Sequence, residues 1–213
     1  RAANWDGTAW TSVDTGTTRG LSAVWGSGAS DVWAAGSEGA ILHWDGGSWT
    51  DAAAAEPGSE QWNIRGLWGT GPSEVWGAGV ISSTNQGLIC RFDGGAWSVA
   101  YLSTSVPDPW TAIWGHDSSD IWVVGFLGTI VHWDGTTWEA TARVTASPLN
   151  AVWGTEAWDV WAVGRAGVVL HWNGGAWFDT DCGTDAHLYD VWGTGPDDVW
   201  VVGQDGVILH RGI

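Results

Sequence analysis

Val24-Trp25-Gly26, followed by Asp31-Val32-Trp33, is the stretch on which the fold turns, because both phrases recur along the chain. The first returns as Leu67-Trp68-Gly69, Ile113-Trp114-Gly115, Val152-Trp153-Gly154 and Val191-Trp192-Gly193. The second follows each as Glu74-Val75-Trp76, Asp120-Ile121-Trp122, Asp159-Val160-Trp161 and Asp198-Val199-Trp200. Successive copies lie 43, 46, 39 and 39 residues apart, within the roughly 40 to 50 residues of one four-stranded propeller blade.

Working outward from the first copy, residues 21–26, 31–36, 40–44 and 48–52 read as four short strands. Between them stand the Gly-Ser-Gly-Ala-Ser run 26–30, a Gly-x-x-Gly step at 36–39, and Asp45-Gly46, whose pairing suits the positive φ of a tight hairpin. The same turn recurs at Asp93-Gly94, Asp134-Gly135 and Asn173-Gly174. The last copy stops after Val207-Ile208-Leu209-His210, and residues 5–13 carry a fourth-strand phrase that can complete it. The expectation is an all-β, five-bladed β-propeller, four antiparallel strands per blade, with the N-terminal strand closing the last blade and leaving no open edge. Its blades cover about 20–53, 63–101, 109–142, 148–180, and 187–213 plus 1–14, all in one domain of 213 residues.

Five blades diverge steeply from the axis, so the outer wedges need bulk. Tryptophan supplies it on the first strand (Trp25, Trp68, Trp114, Trp153, Trp192) and on the second (Trp33, Trp76, Trp122, Trp161, Trp200). It does so again on the third and fourth strands, and Ala23, Gly66, Ala112, Ala151 and Asp190 occupy the narrow centre. These indoles are expected to be core, each contributing at roughly 25 cal/mol per Å² buried.

Composition closes other routes. Seven arginines and no lysine oppose 24 acidic residues, a formal charge of −17 that repels nucleic acid and anionic lipid. With 33 glycines and 22 tryptophans, short punctuated strands are favoured over helical bundles. No apolar run reaches the roughly 18 residues of a membrane span. The chain starts at Arg1 in mid-pattern, as expected for a mature or excised piece of something longer.

Several recurring polar residues read as scaffold. His43, His132, His171 and His210, with Arg91 in the second copy, are spread around the ring, too far apart for one metal ion with bonds of about 2 Å. The acid that opens each second strand is expected to accept backbone N–H groups in the preceding turn. Cys90 falls on a core position and Cys182 on a loop, so no disulfide is expected. Asp179-x-Asp181-x-Gly183-x-Asp185 has the alternation of a calcium loop, but Gly183 stands where such a loop needs another ligand; no metal and no cofactor is assigned.

Function should lie where the copies disagree: the connections 51–61 and 101–109 and the insertion 80–86. In this topology all emerge on one rim, with Trp62, Arg65, Asn85, Tyr101, Phe126, Arg165, His187 and Tyr189 as the candidate ligand-binding set. Aromatic faces beside polar donors suit a sugar ring and its hydroxyls. Over nearly the whole chain the repeat resembles Trp-rich propeller repeats of secreted bacterial proteins, through Ala23-Val24-Trp25-Gly26, residues 159–164 (Asp-Val-Trp-Ala-Val-Gly) and the His-Trp-Asp-Gly-x-x-Trp phrase of 132–138. It is also similar to five-bladed lectins of the tachylectin type, and more distantly to seven-bladed fucose-binding lectins. That resemblance implies extracellular, non-catalytic binding of glycans or cell-surface glycoconjugates, although no sugar motif matches residue by residue. A protein-docking or adhesion module of a larger surface protein is the alternative. A glycoside hydrolase is less favoured, since its two carboxylates must sit roughly 5 to 9.5 Å apart and the innermost strands offer only Asp190.

Overall fold

In the computed structural model, which describes residues 2–53, 58–104, 108–141 and 143–212, nearly all regular structure is antiparallel β. A hairpin of β1 (Ala2–Trp5) and β2 (Trp10–Val13) comes first. Sheet 1 follows as β3 (Leu21–Gly28), β4 (Asp31–Gly36), β5 (Ile41–Trp44) and β6 (Trp49–Asp51). Sheet 2 is β7 (Trp62–Gly71), β8 (Glu74–Ile81), β9 (Gln86–Phe92) and β10 (Trp97–Leu102). Sheet 3 is β11 (Trp110–Asp117), β12 (Asp120–Gly125), β13 (Ile130–Trp133) and β14 (Trp138–Ala140). Sheet 4 is β15 (Leu149–Glu156), β16 (Asp159–Gly164), β17 (Val169–Trp172) and β18 (Trp177–Asp179). Sheet 5 has three strands, β19 (Leu188–Gly195), β20 (Asp198–Gly203) and β21 (Ile208–Arg211). The first strands of successive sheets pack on one another in order, β3 on β7, β7 on β11, β11 on β15 and β15 on β19. This is the stacking of propeller blades.

The repeated phrase explains how neighbours lock. Strand alternation sends Trp25, Trp33 and Ala35 toward sheet 2 and Val24, Val32 and Ala34 the other way. In sheets 1 to 4 the first-strand indole lies over the glycine of the next sheet's first-strand Trp-Gly phrase. A methyl group on Gly69 would sit 2.9 Å from the Trp25 ring, and one on Gly115 2.6 Å from Trp68. Gly154 and Gly193 meet Trp114 and Trp153 in the same way. The glycine is there because an indole crosses it. In sheets 1 to 3 the second-strand indole inserts between the two outer aromatics of the next sheet, while Trp161 of sheet 4 meets the Arg211 guanidinium at 5.2 Å. Trp33 contacts Phe92 and Trp97, Trp76 contacts Trp133 and Trp138, and Trp122 contacts Trp172 and Trp177, with ring centroids 4.7 to 6.0 Å apart. Offset and edge-on rings at such separations are favourable beyond their buried area.

The acid opening each second strand is tied by side chains, not by the backbone N–H groups expected of it. Asp31 accepts from Ser27, from Trp33 Nε1 (3.2 Å) and from the His43 ring (2.7 Å), which lies against Trp33. Asp159 joins Thr155 and His171, and Asp198 joins Thr194, Trp200 and His210. Glu74 joins Thr70 and Arg91, so acid and base change together in that copy. Sheet 3 departs: His116 replaces the hydroxyl, and one Asp120 oxygen is buried without a partner. The four histidines therefore bond within their own sheets.

Burial pushes the Asp31 carboxyl up, but hydrogen bonds from Ser27, His43 and Trp33 and the charge of His43 outweigh it, leaving it below the usual carboxylate range. A depressed carboxylate contributes stability above its unfolded value of about 3.9, and the contribution is lost as pH falls through the folded value. Asp31→Asn is thus expected to be clearly less stable than wild type near neutral pH. The gap should narrow below about pH 4 in urea melts across pH.

Closure differs from expectation. Among the described residues β2 pairs with β1 alone, and no strand pairs with the outer edge of β21. Residues 2–13 do not complete sheet 5. The reason lies in the strand inventory: Asn4-Trp5 before Asp6-Gly7 aligns with His43-Trp44 before Asp45-Gly46, so β1 is a third strand, and β21 already fills that place. A hairpin satisfied by its own partner does not give up β2. Sheet 5 consequently shows solvent the face that other sheets bury: Trp200 is 41% exposed and Ile208 64%, whereas Trp33, Trp76, Trp122 and Trp161 are buried. At the opposite end Val24 is 70% exposed, while its counterparts Leu67, Ile113, Val152 and Val191 are buried.

Candidate functional site

First strands begin, and second and fourth strands end, on one edge of the sheets, so the candidate residues share that edge. They are not equivalent there. Trp62 is buried in the junction of sheets 1 and 2, and its carbonyl accepts the Gly39 N–H at 2.8 Å. The 3-10 turn Ser59–Gln61 leads into β7 early, and alternation puts Trp62 on the side of the buried Ile64. It cannot face a ligand. Tyr101 is half buried, its ring 6.4 Å from Trp110 and 6.0 Å from Trp138, because a bulge between Val99 and Tyr101 interrupts the alternation of β10. Burial, then the charge of Asp108, raises its phenol above the usual range. Burial likewise raises Asp108, against the hydrogen bond from Thr129 and the charge of Arg143. Both are packing residues.

Asn85 is exposed at φ 56 in the β8–β9 turn, a conformation Asn tolerates, and its backbone is tied there: its N–H donates to the Ile81 carbonyl at 2.8 Å and its carbonyl accepts the Asp108 N–H at 3.2 Å. Parts of the connections 51–61 and 101–109 lie outside the described residues.

Three candidates come together. Phe126, Arg165 and His187 belong to sheets 3, 4 and 5 and follow one another around the rim. The Arg165 guanidinium lies 5.0 Å from the Phe126 ring centroid, and Phe126 is itself exposed. His187 Nδ1 accepts the Ala166 N–H at 3.1 Å, and its carbonyl accepts from Gln204 at 2.7 Å. The ring is thereby held, and among the described residues Nε2 has no hydrogen-bond partner.

Sequence reasoning singled out Arg65 and Tyr189 but missed that they share one repeat position, two before the Val-Trp pair of each first strand, with Ser22, Thr111 and Asn150. A register shift falls at this position in every sheet and turns the side chain toward the next blade. Ser22 donates to the Ile64 carbonyl (2.6 Å), Thr111 to that of Leu149 (2.7 Å) and Asn150 to that of Leu188 (2.6 Å). The signal was present as a polar residue in every copy. Arg65 departs from the pattern: it is exposed and makes no ion pair or side-chain hydrogen bond among the described residues. Tyr189 stands at the uncovered end and is exposed.

Other arginines of this edge are committed. Arg19 pairs with Asp51 at 2.5 Å, and Arg143 donates to the carbonyls of Leu127 (2.5 Å) and Thr145 (3.0 Å). Asp179, Asp181 and Asp185 line a shallow cleft of about 400 Å³, where Asp181 accepts the Gly183 N–H. Among the described residues no three His, Cys, Asp or Glu side chains gather as a metal cluster. Cys90 and Cys182 form no disulfide, and among the described residues no helix is long and apolar enough to cross a membrane.

No family model and no curated protein sequence matches the chain. Solved structures do. The chain is similar to YCF48 bound to a D1 peptide, at 19% identity and TM-score 0.70, over 97% of this chain and 69% of that one. It is similar to YCF48 from Cyanidioschyzon merolae, at 16% identity and TM-score 0.71, over 97% of this chain and 74% of that one. The computationally designed Ika8 protein matches at 16% identity and TM-score 0.71, over 91% of this chain and 58% of that one. At these identities the likeness establishes the fold, a Trp-rich β-propeller.

Proposed function

We propose that the chain is a non-catalytic, five-bladed propeller module that docks an acidic stretch of polypeptide on its loop edge. The observation that carries this reading is a pair of uncommitted cations, Arg65 and Arg165, on an edge whose other described arginines are paired, in a chain of charge −17. The net charge of −17 opposes an acidic ligand at long range, so the reading rests on these two exposed guanidinium groups alone, which bind carboxylates in bidentate fashion. The exposed Phe126 ring beside Arg165 adds apolar contact. The likeness to YCF48, one of whose structures holds a D1 peptide, agrees with a polypeptide ligand as an analogy of fold.

Fluorescence anisotropy with labelled Glu/Asp-rich peptides tests the reading. A hydrogen bond to a charged group contributes about 1.5–3 kcal/mol, so Arg65→Ala and Arg165→Ala should each weaken binding roughly tenfold or more. Unchanged affinity in both variants overturns the assignment.

A second reading rests on the stacked Phe126 and Arg165 with His187 Nε2 alongside, an aromatic face with donors that suits a pyranose. On that reading the module works outside the cell as a lectin. Glycan-array binding that free sugar inhibits, together with silence toward acidic peptides, would select it.

A further inference from the structure

A cavity of about 500 Å³ lies between the N-terminal hairpin and sheet 1, lined mainly by apolar side chains, among them Ala3, Val24, Val32, Ala34, Trp44 and Trp49. The other junctions show what such a space accommodates. Trp44 and Trp49, with ring centroids 5.7 Å apart, correspond to Phe92–Trp97, Trp133–Trp138 and Trp172–Trp177, and each of those pairs clasps a second-strand indole from the preceding sheet. Along the same cavity, among the described residues, β1 is paired on one edge only. In the sheets the corresponding edge of the third strand pairs with the second strand, for instance Leu42 with Ala34 and His43 with Trp33. In that register Asn4 stands opposite the tryptophan.

We propose that this end of the protein is a β-augmentation site for an extended polypeptide segment of the pattern Asp-Val-Trp-x-x-Gly. The segment adds to the free edge of β1 and delivers its indole to Trp44 and Trp49. Main-chain hydrogen bonds to β1 supply affinity, and the cavity supplies selectivity for a large aromatic at one position with small residues after it. The alternate residues of the segment cover Val24, now 70% exposed. The site is separate from the arginine edge and does not depend on its assignment.

The test uses the full 213-residue chain and a synthetic peptide with the sequence of residues 149–164, which carries both inner-strand phrases. Saturating peptide should slow hydrogen exchange of the amides of residues 2–5 at least tenfold and alter indole fluorescence saturably. The same peptide with Trp161→Ser should bind at least tenfold more weakly, as should the unaltered peptide to a Val24→Asp chain, whose substitution falls on an exposed side chain. Absence of protection, protection on residues 208–211 instead, or equal binding by the Trp161→Ser peptide would overturn the proposal. A dimer of the chain alone that protects residues 2–5 would also overturn it, by assigning the edge to a second copy.

Discussion

Trp122→Ala is expected to destabilise the protein by about 3–5 kcal/mol, the range for removing a fully buried large aromatic, while Trp200→Ala should cost about 1 kcal/mol. The two residues hold the same place in the repeat, so sequence alone predicts equal effects. Trp122 is buried against the rings of Trp172 and Trp177 and stacks on His132 at 4.0 Å. Its loss leaves a cavity between sheets 3 and 4 that rigid strands on both sides cannot close. Trp200 stacks on His210 at 3.8 Å and donates to Asp198 at 2.8 Å, but no neighbouring sheet covers it. Its removal costs one stacked contact and one exposed hydrogen bond. Urea unfolding followed by far-ultraviolet circular dichroism reads the difference directly. Equal losses would mean that sheet 5 is as covered as sheet 3.

The second large effect is expected at Gly167. Its φ is 70, and an added Cβ would lie 1.8 Å from the Thr184 carbonyl oxygen, a backbone atom that cannot swing aside. Gly167→Ala combines the roughly 1–2 kcal/mol of a left-handed alanine with displacement of the sheet 4 to sheet 5 connection, for a total above about 2 kcal/mol. Gly183→Ala is the control: φ is 73, but nothing lies within 4 Å of the added carbon, so only the conformational cost applies. Because the Gly167 N–H bonds the Ala186 carbonyl next to His187, the first change should also disturb the Phe126, Arg165 and His187 cluster. Thermal melts of the two variants, with peptide anisotropy on each, separate clash from conformational cost. Gly39 and Gly128 approach the Ser59 and Thr145 carbonyls in the same manner, whereas the step of sheet 5, with nothing within 4 Å of the added carbon, keeps Gly206 for its φ of 78 alone.

Much of the fold was legible from residues 21–52 because strand alternation, Asp-Gly turns and the two Trp phrases are local signals, and local signals survive without a structure. The candidate site was legible only in part. Topology placed Phe126, Arg165 and His187 on one edge, but periodicity could not report that an early-starting strand buries Trp62 or that a bulge turns Tyr101 onto Trp110. Nor did composition reveal that Arg65 occupies the position where Ser22, Thr111 and Asn150 bond their neighbours.

The amino-acid order by itself determined which residues form strands, which turns join them and which side chains share a face, since these follow from φ/ψ preference and a period of two. Only the tertiary structure decided which of five near-identical faces is covered. Burial belongs to a pair of sheets and not to a sequence phrase: Trp122 has a sheet beyond it and Trp200 has none. The same holds at the N-terminus, where β1 repeats the strand type of β21, and pairing with β2, its nearest neighbour along the chain, prevailed over closing the ring.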